Sequence, residues 1–107
     1  MIDYCLKNID ETEFNDMMLS IGLCEIADYA VVPSSYLVLI DRIGPITMPD
    51  PSGATTTDSE GNIVPVMITY PEYYSNLRLL LDPTEEQILV LDSHAIDPSQ
   101  PQYRVWF

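Results

Sequence analysis

His94 is the only imidazole in the chain, so acid–base chemistry centred on it would need a nucleophile or a carboxylate brought alongside. With no second imidazole and no cysteine or serine at a recognisable catalytic spacing, it reads as a loop residue. Cys5 and Cys24 belong to no C-x-x-C pair and to no Cys/His cluster of metal-binding spacing. They read as reduced, buried thiols in a reducing compartment. Asp58, Glu60 and Asn62 present alternating oxygen ligands, as in part of a calcium loop, but the glycine comes early, no glutamate closes the loop and no helices flank it. Glu60-Gly61-Asn62 reads instead as a turn. The sequence has no nucleophile elbow, no Gly-rich phosphate loop and no H-E-x-x-H. Carboxylate pairs can always be assembled from 17 acids, and nothing local singles one out as general acid and base. The chemistry-bearing residues therefore point to a protein that is not an enzyme and uses neither cofactor nor metal.

What remains is recognition. Tyr70, Tyr73 and Tyr74 cluster around Pro71 beside Arg78, and Arg104 and Trp106 lie in the terminal QYRVWF. Tyr, Trp and Arg are enriched where protein partners bind, so these six residues form the candidate partner surface. The formal charge of −13, from 17 acids against four Lys and Arg, repels phosphate backbones and anionic lipid. Direct contact with nucleic acid or membrane is disfavoured; the charge serves the solubility of a small domain or, alternatively, attracts a basic protein partner.

The elements that must position these residues are legible in outline. At 107 residues, 47% hydrophobic and 20% charged, the chain has the size and composition of one folded domain, residues 1–107. Ile2 to Leu6 alternates weakly and predicts an edge strand. Asp10 followed by Glu13 predicts a capping box, and Phe14, Met17, Met18 and Ile21 give the apolar stripe of a helix from about Glu11 to Ile21, ended by Gly22. Tyr29 to Val32 and Tyr36 to Ile40 read as strands, the second covered on both faces and ending at Asp41-Arg42. Residues 45–65, rich in Pro, Thr and Gly, read as a long excursion or a hairpin with a mobile tip. Val64 to Tyr70 and Asn76 to Leu81 are further strands, the latter with Leu77, Leu79 and Leu81 on a buried face. Thr84 and Gln87 read as a helix start, and the four apolar residues Ile88 to Leu91 complete a short helix or form a strand, the helix being preferred. Pro98 and Pro101 then deliver Gln102 to Phe107 as a final, structural strand whose loss would unfold the domain. The expected fold is α+β, a small single domain with a mainly antiparallel sheet, one amphipathic N-terminal helix and, where Ile88 to Leu91 is helical, a short second helix.

DRIGPI, DSEGNIVP, NLRLLL and the terminal YRVW, within Asp41 to Phe107, resemble small proteins encoded by tailed phages and prophages. The resemblance carries no site residues over to this chain. It implies a phage or prophage origin, in the cytoplasm of a bacterial host or associated with the virion. Two functions stand as expectations. One is an accessory or virion-assembly protein that contacts a phage structural protein or a second copy of itself. The other is an acidic host-directed inhibitor, a nucleic-acid mimic binding a basic host protein.

Overall fold

The structure, a computed structural model, describes residues 1–97. Strand β1 (Ile2–Asn8) buries Leu6 and Asn8. Asp10 then opens helix α1 (Glu11–Ser20), its carboxylate accepting from Glu13 N at 2.8 Å and so satisfying one of the orphan N–H groups of the first turn. The expected capping box is not completed. The Glu13 carboxylate reaches past the cap to Ile9 N (3.1 Å) and Asn8 Nδ2 (3.2 Å), which fastens the helix to the end of β1. Phe14, Met17, Met18 and the C-cap Ile21 are buried as their spacing predicts, and Gly22 leaves the helix with φ of 77°.

The next hairpin was only half legible. Strands β2 (Cys24–Ala27) and β3 (Ala30–Pro33) pair across a turn in which Asp28 and Tyr29 both have positive φ, 50° and 65°. Such a two-residue turn matches strand twist but ordinarily calls for Asn-Gly or Asp-Gly. A tyrosine there gives no turn signal, so β2 is unforeseen and Tyr29 belongs to the turn rather than to the strand.

The larger correction concerns the middle of the chain. Strand β4 (Val38–Pro49) does not stop at Asp41-Arg42, and β5 (Thr55–Thr57) and β6 (Ile63–Pro65) form a small hairpin of their own. Strand β7 (Met67–Leu79) is one thirteen-residue strand that runs straight through Pro71 and the tyrosines. Prolines are tolerated here because the β4–β7 register slips twice, from Arg42↔Ser75 to Gly44↔Tyr74 and then to Ile46↔Tyr70. A bulge leaves ladder positions unpaired, and Pro45 and Pro71 have no N–H to pair. Gly44 makes the first slip with φ of 77°, while a Cβ added there would meet only Tyr73 Cε1, at 3.9 Å. Space is not limiting, so Gly44→Ala is expected to cost about 1–2 kcal/mol through backbone conformation alone, read as a lower urea midpoint with an unchanged slope.

Helix α2 (Glu85–Asp92) starts with the expected capping box of Thr84 and Gln87, and Gln87 Nε2 also donates to Ile21 O at 2.8 Å, joining the two helices. The main sheet has the order β1-β7-β4, antiparallel throughout. The fold is thus α+β, with antiparallel sheets and two helices. Leu6, Val38, Tyr73, Leu77 and Leu79 lie on one face of that sheet by register. They form a single core with Phe14, Met17, Met18, Leu23 and Leu91. Val38 is 1% exposed but Leu39 is 40% exposed, so this part of β4 is not covered equally on both sides.

Candidate interaction surface

Strand geometry separates the expected tyrosine patch. Neighbouring residues on a strand point to opposite faces, so Tyr73 and Tyr74 cannot share one. Tyr73 is 7% exposed and joins the helix-side core, its ring tilted against Phe14 at 5.4 Å between centroids. Its hydroxyl accepts from Arg42 NH1 at 3.2 Å, and the Arg42 guanidinium lies 5.0 Å from the centre of the Phe14 ring. Tyr74, on the other face, is buried too and donates to Glu72 Oε2 at 3.4 Å. Both side chains are buried rather than exposed. The sequence reading missed this because amphipathic tyrosines suit cores and rims alike.

Arg78 is likewise a strut. Its Nε and NH2 donate to the two oxygens of Asp3 at 2.7 and 3.1 Å, a bidentate pair across β1 and β7. The hydrogen bond from Arg78 holds the Asp3 carboxyl below its usual range, partly opposed by burial. Tyr70 is half-buried and stands farther along β7, paired with Ile46. Arg104, Trp106 and the expected terminal strand from Gln102 to Phe107 lie outside the described residues.

Burial, followed by the charge of Glu72, pushes the Tyr74 hydroxyl from an ordinary 10.0 up to about 12. A folded-state value above the unfolded one favours the folded protein while the pH stays below the unfolded value, and the benefit disappears as pH rises through the folded value. Stability is therefore expected to fall between about pH 10 and about pH 12 as Tyr74 ionises. Phenolate absorbance followed alongside circular dichroism checks it: one late-titrating tyrosine should accompany the loss of structure. Tyr74→Phe should blunt that late step.

His94 is better connected than a loop residue need be. Its Nε2 lies 3.4 Å from Glu13 Oε1, an ion pair when the imidazole is protonated, and its Nδ1 lies 3.0 Å from Ser93 Oγ. The order Ser–His–Glu has the outline of a hydrolase triad. The Ser93 hydroxyl, however, donates to Val90 O at 2.6 Å, so its proton is directed at the end of α2 and away from the imidazole. The group joins the end of α2 to the start of α1. At the far end of the molecule, Asp58 Oδ1 accepts from Glu60 N and Asn62 N, each at 2.9 Å, and the Asn62 amide above all holds its carboxyl low. It caps the expected turn, and among the described residues no cluster of His, Cys, Asp or Glu has the form of a metal site. Cys5 and Cys24 are both buried, free thiols, and burial pushes the Cys24 thiol up.

Of the six candidate residues Tyr70 alone lies on the arm made by the far halves of β4 and β7 with β5 and β6, as far as the described residues go. The molecule measures 53 × 29 × 21 Å, with a radius of gyration of 16.8 Å against roughly 13 Å for a compact chain of this length. Beyond the bulges the arm is a two-stranded ribbon, and among the described residues β5 and β6 pair only with each other. Ile46↔Tyr70 and Met48↔Ile68 line one side, while Thr47 and Thr69 join hydroxyls at 3.0 Å on the other. Val64, Val66, Ile68 and Tyr70 are each half-buried between exposed neighbours, and Ile63 and Met67 are 78% and 52% exposed. Val64 to Tyr70 reads as a strand, but the prolines before it hide its pairing with the far half of β4. Residues 43–70 contain Asp50, Asp58 and Glu60 and no Lys or Arg.

Compared with known proteins, the chain matches no family model, no curated protein and no solved structure. Among the described residues no helix is long and apolar enough to cross a membrane.

Proposed function

We propose that this chain is a non-enzymatic interaction module of a tailed phage or prophage, an accessory or virion-assembly protein that works through protein–protein contacts, and that the arm is its contact element. The observation that supports this reading is the ribbon that projects past the buried Ile46, with Met48, Ile68 and Tyr70 half-buried and Ile63 and Met67 78% and 52% exposed. A two-stranded ribbon is marginal by itself in water, and a ribbon with open edges and an apolar side is suited to strand addition or insertion into a groove. The partner is a protein that offers an apolar groove or sheet edge rimmed with Lys and Arg, because the arm carries three carboxylates and no cation. A phage structural protein of that surface chemistry fits this description, and the protein acts in the host cytoplasm or on the particle. A second copy fits less well, since each copy brings a charge of −13.

A photo-crosslinking residue at Met67, on the arm, is compared in producing cells with one at Leu89, which is 72% exposed on α2. Crosslinks to one defined protein from Met67 and not from Leu89 are the expected result. Crosslinks only from Leu89 would refute the arm as contact element. Light scattering across concentration at low and high salt separates the competitors. Salt-resistant oligomers would identify a second copy as the partner, and competition with DNA for a basic host protein that weakens steeply with salt would favour the acidic inhibitor.

A further inference from the structure

A cleft of about 640 Å³ lies between helix α1 and the end of α2, a volume within the range of small-ligand sites, roughly 300–1,000 Å³. Ile9, Met17 and Val90 give it an apolar lining, and Asp10, Glu13 and Asp16 place carboxylates along it. No Lys or Arg among the described residues borders it. The acids stand three residues apart, so at about 1.5 Å per residue they step along the helix by about 4.5 Å and span about 9 Å in all. Carboxylates spread in this way cannot close around one metal ion. A neighbouring cleft of about 440 Å³ shares Ile9, Glu13 and His94 with the first and is lined by Asn8 and Glu72 as well. Asn8 is only 2% exposed. Its Nδ2 donates to Glu13 Oε1 (3.2 Å) and Met17 Sδ (3.7 Å), while its Oδ1 has no partner among the described residues. A buried carbonyl oxygen in that position is unusual, and what it lacks is a donor. Lys7, the one Lys or Arg bordering this second cleft, is exposed.

We propose that these two clefts bind an aliphatic polyamine. Such a ligand carries several ammonium groups separated by short methylene runs, and the clefts offer acceptors separated by apolar surface. The methylenes lie against Ile9, Met17 and Val90, much as the stem of a lysine covers apolar surface while its head stays with polar groups. Asp10 Oδ1 and Glu13 Oε1 already accept bonds from the chain's own N–H groups at the start of α1. The second oxygen of each, and the exposed Asp16 carboxylate, accept from the ammonium groups through charge-assisted hydrogen bonds. A terminal ammonium has three donors, which suit Asn8 Oδ1 with Glu13 and Glu72 beside it. A metal ion has no apolar surface for Ile9 and Val90 to cover, and a planar guanidinium holds its charge in one place. The charge of −13 attracts any polycation, and the clefts decide where this one stays.

Spermidine titrated into the nitrogen-15-labelled, full-length chain at about 0.15 M salt tests this, since surface attraction is screened there. The expected result is a set of saturable NMR shifts confined to residues 8–20 and 90–94, the Asn8 side-chain amide included, with a Kd of about 1 mM or lower. Asp16→Asn, at an exposed position, should weaken binding by about fivefold or more. Glu60→Gln removes the same charge in the turn between β5 and β6 and should leave the affinity unchanged. Shifts spread over the whole acidic surface, equal losses in the two variants, or the same shifts from Mg²⁺ at matched ionic strength would overturn the proposal. Acetyl-lysine methylamide, with its single cation, should bind far more weakly than spermidine. Equal affinity would reassign the clefts to a lysine side chain of a protein and overturn the polyamine.

Discussion

Replacing Phe14 with alanine will lower the free energy of unfolding by about 3–5 kcal/mol, the range for removing a buried aromatic ring. The ring is 0% exposed and stands between Tyr73, at 5.4 Å, and the Arg42 guanidinium, at 5.0 Å. Its loss leaves a cavity and also removes the face on which a half-buried cation rests. Arg42 would keep its bonds to Tyr73 Oη and Val31 O, at 3.2 and 3.3 Å, but over a void. Domains of this kind have about 5–15 kcal/mol in hand, so the variant should be barely folded at 37 °C. Urea denaturation followed by circular dichroism decides it: a midpoint lowered by more than about 1 M is expected, and a loss below about 1 kcal/mol would mean that helix α1 is not the keystone of the core.

Trimming the arm should have the opposite profile. Pro49 and Met67 are register partners, so replacing Asp50 to Val66 by Asn-Gly closes the ribbon with a two-residue turn of favoured type. No residue of the core lies in the excised stretch, and a shorter loop costs the unfolded chain less entropy to close. The unfolding free energy should change by less than about 1 kcal/mol. Affinity for the partner should fall at least tenfold, about 1.4 kcal/mol. Retained affinity would confine the contact to the part of the ribbon that is kept, Met48, Met67, Ile68 and Tyr70, or to the body of the molecule. A trimmed chain that fails to fold would mean that the arm's apolar side stabilises the body directly.

The contrast between these two experiments follows from where each feature could be seen. The N-cap acid, the Phe14, Met17, Met18 stripe, the Gly22 exit and the Thr84–Gln87 box were legible because each rests on residues within one or two helical turns. The same holds for the Asp58 to Asn62 turn, whose chemistry is local. Strands β4 and β7 were read as fragments because the prolines and Gly44 that punctuate them look like stops. Only pairing between distant segments, Ile46 with Tyr70 and Arg42 with Ser75, turns those stops into bulges.

Three of the six candidate surface residues, Tyr73, Tyr74 and Arg78, are engaged within the chain for a related reason. Residue type shows that Tyr73, Tyr74 and Arg78 are suited to contacts, and the contacts proved to be with Phe14, Arg42, Glu72 and Asp3 of the same chain. Whether an amphipathic side chain meets core, ion pair or partner depends on which face of the sheet it occupies, and a register cannot be read from one strand alone. By itself, then, the sequence determined the α+β class, the first helix with its N-cap acid, the start of the second helix at Thr84–Gln87, the two buried thiols and the strongly acidic composition, all set by composition or short-range geometry. The tertiary structure alone decided the strand order β1-β7-β4, the interior positions of the tyrosines and the projecting ribbon, because each depends on pairings between residues about 20 to 75 positions apart in the chain.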